Sequence, residues 1–212
     1  MGQSNEMVYI VDDDASVGEA LSSLLRSNGK NVRTFRSGKD FLDFQRHDSC
    51  ACLLLDLEMP DLSGLDVQNQ ISSQASLPVI FITARGDIPS TVTAMKCGAV
   101  DFLTKPVDET VLLDCIDRAF ERDRLNRIEV AAKAKLLARY QTLTPREQEV
   151  FLLLVKGLLN KQAAGELGIT EYTVQIHRGH IMRKMEADSF ATLVKLAARL
   201  NIEPLSTSNV NV

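Results

Sequence analysis

No stretch of this 212-residue chain stays apolar for the ~20 residues that a membrane-spanning helix needs. The opening Met1-Gly2-Gln3-Ser4-Asn5-Glu6 lacks an apolar signal core, and Glu6 stands where a myristoylation signal wants Ser or Thr. Neither export nor membrane attachment is expected, and a cytoplasmic location is. The four cysteines (Cys50, Cys52, Cys97, Cys115) form no C-x-x-C pair and lack metal spacing, which predicts reduced structural thiols. Low-complexity tracts are absent too. With 45% hydrophobic and 25% charged residues, the composition is that of a globular protein long enough for two modest domains.

The net charge of −4 is unevenly spread. Residues 1–120 hold 10 Lys/Arg against 18 Asp/Glu, whereas residues 121–142 hold 6 against 3 and residues 143–200 hold 8 against 6. An acidic front and a mildly basic rear suggest two domains with different partners, although a solvated helical face could give the same rear excess.

The most telling stretch is Leu53-Leu54-Leu55-Asp56-Leu57-Glu58-Met59-Pro60. Its apolar run ends in a carboxylate and is followed at once by turn formers, which reads as a strand buried on both faces. Asp56 then lies at the carboxyl end of an interior strand, where open α/β sheets place their ligands. A charge there is costly unless paired or bound to a cation.

The pattern recurs. Met7–Val11 runs into Asp12-Asp13-Asp14, Pro78–Ile82 ends at Thr83, and Val100–Thr104 ends at Lys105-Pro106. With a strand at Val32–Phe35 and intervening helical periodicities, five strands alternate with five helices. The expected fold is a flavodoxin-like, five-stranded parallel sheet, whose right-handed crossovers bring every strand's carboxyl end to one rim. Helices are predicted near Leu65–Ser72 and Thr91–Cys97, and a last one from about Asp108.

Clustered carboxylates repel one another unless a cation joins them, and hard oxygen donors suit Mg²⁺. Beside such an ion Asp56 can stay ionised and attack phosphorus, with Lys105 and the Thr83 hydroxyl facing the phosphoryl oxygens. Pro106 can shape the Lys105 loop through a cis peptide. Taken singly, Asp14 could merely cap a helix, Lys105 could lie on the surface and Thr83 could be an ordinary strand residue. The joint pattern is what carries information.

Ile-Val-Asp-Asp-Asp at 10–14, Leu-Asp-Leu-Glu-Met-Pro-Asp-Leu-Ser-Gly at 55–64, Ile-Thr-Ala at 82–84 and Lys-Pro at 105–106 resemble the receiver domain of two-component response regulators. That resemblance implies that Asp56 is the phosphoacceptor and that Asp12, Asp13, Asp56 and the backbone carbonyl of Glu58 hold Mg²⁺. It further implies that Thr83 and Lys105 contact the phosphoryl group and that Phe102 is the switch aromatic, unless Phe102 is plain core.

Residues 121–140 contain neither Pro nor Gly and favour helix. Leu125, Ile128 and Ala132 fall at helical spacing, and a short coiled seam between protomers is conceivable. At Leu143-Thr144-Pro145-Arg146-Glu147, Thr144 as N-cap, Pro145 at N1 and Glu147 at N3 predict a capping box. Helices at 161–167 and from Thr170 to about Met185, joined around Gly168, suggest a helix-turn-helix, with an anonymous four-helix bundle as the alternative. On the third helix of this segment Val174, Ile181 and Met185 point inward, while Tyr172, Gln175, Ile176, Gly179 and Arg183 point outward. Gln175 can pair with adenine and Ile176 can meet a thymine methyl, whereas Lys161, Arg178 and Lys184 suit phosphates. His177 could bond a phosphate or sit satisfied against the core. Gly179 costs ~1 kcal/mol relative to Ala in helix propensity.

Leu-Thr-Pro-Arg-Glu at 143–147, Asn-Lys-Gln-Ala-Ala at 160–164 and Thr-Val-Gln-Ile-His-Arg at 173–178 resemble the LuxR-type helix-turn-helix domain. The resemblance adds Thr173 to the DNA-facing set. The whole chain resembles response regulators of the FixJ/NarL kind, nearer to FixJ in Ile-Thr-Ala-Arg-Gly-Asp-Ile-Pro (82–89). The expected domains are a receiver at 1–122, a helical linker at 123–140, a DNA-binding domain at 141–202 and a disordered polar tail at 203–212. The implied partners are a sensor histidine kinase, promoter DNA, RNA polymerase and a second copy once Asp56 is phosphorylated; turnover catalysis is not expected. A competing enzyme reading compares Leu55-Asp56-Leu57-Glu58 with the nucleophile motif of haloacid-dehalogenase-type phosphatases, in which that strand comes first and a second Asp acts as acid. A receiver switched by a partner without phosphorylation is a third reading.

Overall fold

The computed structural model describes residues 6–46, 48–74 (backbone only for 72–74), 77–84 and 88–202. The expected disorder of 203–212, and residues 85–87 of the FixJ-like wording, lie outside the described residues. The chain divides between Arg127 and Ile128 into two compact units. The first carries β1 (Met7–Val11), α1 (Ala15–Ser27), β2 (Asn31–Phe35), α2 (Gly38–Asp43), β3 (Ala51–Asp56), α3 (Gly64–Gln74), β4 (Val79–Thr83), α4 (Ile88–Lys96) and β5 (Asp101–Thr104). Helix α5 (Glu109–Gln141) begins in this unit and ends in the second, so the stretch free of Pro and Gly is helical as its composition predicts. Helix α4 starts earlier than its apolar spacing suggested, because Pro89 stands in its first turn, where a missing N–H breaks no helical bond.

All strand pairs are parallel and the order is β2-β1-β3-β4-β5. Alternation along each strand separates two cores. Val8, Ile10, Cys52, Leu54, Ile80 and Ile82 pack with Leu21 and Leu25 of α1 and with Leu112, Ile116 and Phe120 of α5. On the other face Tyr9, Val11, Leu53, Leu55, Val79 and Phe81 pack with Phe41, Val67, Ile71 and Ala94 of α2, α3 and α4. Every residue of β3 is buried, which explains why its sequence shows a continuous run rather than alternation.

In the second unit, α6 (Pro145–Val155), α7 (Asn160–Leu167), α8 (Glu171–Lys184) and α9 (Phe190–Arg199) enclose a core of Val150, Phe151, Leu154, Val174, Ile181, Met185 and Leu193. Helix α7 ends on Gly168 in the left-handed region (φ 62°), where the absence of a Cβ removes the usual penalty. Two residues on, the Thr170 hydroxyl accepts from Thr173 N–H and starts α8, closing a tight helix-turn-helix.

Candidate functional site

The sheet's register assembles the rim of the first unit. Val11 pairs with Leu55, so Asp12 and Asp56 are neighbours one step further on; Thr83 pairs with Thr104, so Lys105 follows on the same level. The Lys105 N–H donates to the Thr83 carbonyl at 2.8 Å. This rim includes the crevice between β1 and β3, where the direction of winding reverses and such folds bind ligands. The expected convergence is therefore observed.

Asp12, Asp13 and Asp56 offer carboxylate oxygens within 4.8 Å of one another. Asp12 (3% exposed), Asp56 (7%) and Thr83 (0%) are buried, and Asp13 is exposed. The Lys105 ammonium lies 2.7 Å from a carboxylate oxygen of each of Asp12 and Asp56. One cation against three carboxylates leaves the cluster net negative. Burial pushes the Asp12 carboxyl above its ordinary range, despite opposing help from Lys105 and the Asp14 N–H. Lys105 titrates above its usual range: burial opposes its charge, but the bonds to Asp12 and Asp56 outweigh it. An all-oxygen donor set with excess negative charge fits Mg²⁺, the ion receiver domains typically bind at their acidic pocket.

The loop beyond Asp56 is held closely. Glu58 N–H donates to Asp56 Oδ1 at 3.2 Å, and Gly64 N–H donates to the Leu57 carbonyl at 2.9 Å. A Cβ on Gly64 would stand 2.3 Å from the Asp56 carbonyl oxygen, so only glycine lets α3 start this close to Asp56. Asp14 takes the modest role allowed for it, capping α1 through Ser16 N–H at 2.8 Å. Phe102 pairs with Phe81 across β4 and β5, is half-buried, and packs at the edge of the second core, ring centroids 6.2 Å apart. The Lys105–Pro106 peptide is cis.

In the second unit the α8 wheel is observed as read. Val174, Ile181 and Met185 are fully buried, while Tyr172, Gln175, Ile176, Gly179 and Arg183 are exposed. Lys161 on α7 is exposed, and neither it nor Arg183 has an ion-pair partner among the described residues. Arg178 is half-buried, stacked 4.9 Å over the Phe190 ring and 3.4 Å from Asn160 Oδ1. Thr173 is half-buried, its hydroxyl 2.8 Å from that of Thr170. His177 Nδ1 is buried and has no hydrogen-bond partner among the described residues, so the satisfied-core reading is not met.

Lys184 departs from its expected role. Its half-buried ammonium lies 2.5 Å from Glu147 Oε2 and 3.1 Å from the Thr142 carbonyl, so it is engaged within its own domain. Glu147 (3% exposed) also closes the capping box, accepting from Thr144 N–H at 2.8 Å, and faces His180 Nδ1 at 3.5 Å. Burial opposes its charge, yet Lys184 and Thr144 bring its carboxyl down to about 2. The capping pattern revealed Glu147, but nothing local showed that a residue 37 positions later would pair with it. Asp123 was missed altogether. Buried on α5, it accepts from Ala51 N–H at 3.0 Å and from Arg127 Nε at 2.7 Å, and in sequence it is one charge among many.

Each unit contains a match to a known family. Residues 8–117 match the response regulator receiver domain, and residues 141–197 match the luxR family of bacterial regulatory proteins. The chain is 45% identical over 207 residues to nodulation protein W of Bradyrhizobium diazoefficiens, covering 97% of this chain and 91% of that one. The chain belongs to the response regulators.

This response regulator is also 40% identical to the transcriptional regulatory protein FixJ of Rhizobium meliloti, over 90% of its own length and 94% of FixJ. Among solved structures, response regulator StyR superposes with a TM-score of 0.74 at 45% identity, covering 92% of this chain and 99% of that one. Full-length FixJ from B. japonicum gives a TM-score of 0.55 at 37% identity, covering 92% and 96%. The regulator thus combines a receiver with a LuxR-type DNA-binding domain and is a transcriptional regulator, not a turnover enzyme. The phosphatase reading fails on topology as well, because Asp56 ends the third strand rather than the first. No helix among the described residues is long and apolar enough to cross a membrane.

Proposed function

We propose that a sensor histidine kinase transfers a phosphoryl group to Asp56, and that the phosphorylated regulator binds promoter DNA as a dimer. The observation that carries this reading is the meeting of Asp12, Asp13, Asp56 and Lys105 at one rim. Mg²⁺ would be held by Asp12, Asp13, Asp56 and the Glu58 carbonyl, and would neutralise charge on the transferring group. An Asp56 carboxylate oxygen attacks phosphorus, the bond to the donor histidine breaks, and the imidazole leaves. The Lys105 ammonium turns from Asp56 to the new phosphoryl oxygens, and the Thr83 hydroxyl donates to another. Movement of Thr83 changes the packing behind it and repositions Phe102, so a local charge change biases a two-state element. A swing from 1:99 to 99:1 requires ~5.5 kcal/mol of differential stabilisation.

In the rear domain α8 enters the major groove. Gln175 pairs with adenine, Ile176 meets a thymine methyl, and Arg183 lies on the same face. Lys161, Arg178, Thr173 and His177 contact the phosphate backbone, while Lys184 holds α8 to α6 through Glu147. A dimer spans two half-sites about one helical turn apart and meets RNA polymerase at the promoter, in the cytoplasm.

Incubation with acetyl phosphate and Mg²⁺, followed by intact-mass measurement, tests the reading. One phosphoryl group is expected on the parent protein and none on Asp56→Asn. Equal labelling of both would refute the assignment.

A further inference from the structure

Gly179 lies in the interior of α8, on the stripe formed by Tyr172, Gln175, Ile176 and Arg183. Nothing among the described residues asks for glycine there. Its φ is not positive, unlike those of Gly29, Gly98, Gly157 and Gly168. A Cβ added to it would meet no heavy atom within 4 Å, in contrast to Gly64, whose Cβ would collide with the Asp56 carbonyl. A glycine inside a helix leaves more backbone entropy to lose on folding than alanine does, so it destabilises the element that presents the recognition side chains. Gly165 shares that openness, but at Gly179 the open space lies on the face that also carries Gln175 and Ile176, where a partner outside the chain can use it.

We propose that Gly179 is a close-approach point for the DNA duplex. The bare backbone at this position lets α8 lie deeper in the major groove, and that depth determines whether Gln175 and Ile176 reach base edges. This inference rests on the groove assignment of α8 made above. On this account the residue acts by what it omits. A methyl group at position 179 lifts the helix away from the base pairs and weakens readout by residues on either side. A long cationic side chain there adds phosphate attraction that every sequence offers equally.

The test uses the full-length protein and a duplex pool with a randomised core. Sequences enriched by the parent are identified, and binding of the enriched duplex and the unselected pool is followed by fluorescence anisotropy. Gly179→Ala should raise the melting midpoint of the rear domain by roughly 3–6 °C. It should nevertheless bind the enriched duplex at least about tenfold more weakly, with a smaller loss on the unselected pool. Gly179→Lys should bind the pool more tightly while losing selectivity. Gly165→Ala supplies the comparison: Gly165 is also helical and exposed, with nothing within 4 Å of a Cβ, so it should gain stability and keep its sequence preference. If Gly179→Ala keeps the parent's affinity and preference, or if Gly165→Ala loses as much, the inference is wrong. Should Gln175→Ala relax preference while Gly179→Ala does not, only the close-approach idea fails. A parent that enriches no sequence sinks the groove assignment and this inference together.

Discussion

In the receiver, the Lys105 ammonium lies 2.7 Å from both Asp12 and Asp56, with the Asp13 carboxylate beside them. In the DNA-binding domain, the Lys184 ammonium lies 2.5 Å from Glu147, whose oxygens also take the Thr144 N–H. Both are lysine–carboxylate clusters in which the lysine meets a buried acid. They differ in charge balance: three acids to one lysine at the rim, one acid to one lysine in the helical bundle. The second cluster is complete as it stands, and its carboxyl is held well below the ordinary range. In the first, burial keeps the Asp12 carboxyl raised, and the excess of acids over lysine favours a further cation. The balanced pair needs no further ion, whereas the acidic excess at the rim leaves a place for one.

The comparison breaks most readily at Glu147. Glu147→Ala removes a cap and strands a partly buried ammonium, so the rear domain should lose about 2–3 kcal/mol. Asp56→Asn relieves crowding and should leave the receiver unchanged or up to about 1 kcal/mol more stable. Thermal unfolding of the full chain by circular dichroism, resolved into two transitions, tests both. Equal losses would mean that charge balance does not separate the clusters.

Mg²⁺ should act on one side only. At about ten times its dissociation constant it should stabilise the receiver by about 1.4 kcal/mol and leave the rear transition in place. A shift of both transitions would point to nonspecific binding.

Acid should separate them by sign. Glu147 has a depressed carboxyl in the folded state, so its contribution is present above its ordinary value of 4.5 and is lost as pH falls through about 2. Asp12 has a raised one, so without divalent cation its contribution is fully present below its ordinary value of 3.8 and is lost as pH rises through the folded value. Mild acidification should therefore favour the metal-free receiver pocket before it weakens the rear domain. Domain-resolved melting points across an acid titration give the answer.

Much of this was legible in the residues. Strands ending in Asp12, Asp56, Thr83 and Lys105 could be read because each side chain closes its own apolar run, and parallel topology carries all four to one rim. The capping box at Thr144–Glu147 was legible because both its bonds are local. Pairings such as Glu147 with Lys184, or Asp123 with Ala51, were not, because they join residues tens of positions apart that carry no pattern. Lys184 was consequently read as a phosphate ligand, its helix position being compatible with either role.

The smallest expected effect distinguishes two lysines that look alike in sequence. Lys161→Ala should weaken binding to all duplexes alike and reduce the salt slope by about one, whereas Lys184→Ala should lower rear-domain stability and leave that slope intact. Affinity measured over a salt series for each variant decides the matter.

Calorimetric titration of Mg²⁺ into the parent protein and the Asp12→Asn variant addresses the charge excess at the rim most directly. Saturable binding of one ion by the parent, weakened roughly 10–100-fold by the substitution, is the predicted result. Identical isotherms for the two proteins would show that the acidic rim does not hold the ion, and would contradict the account.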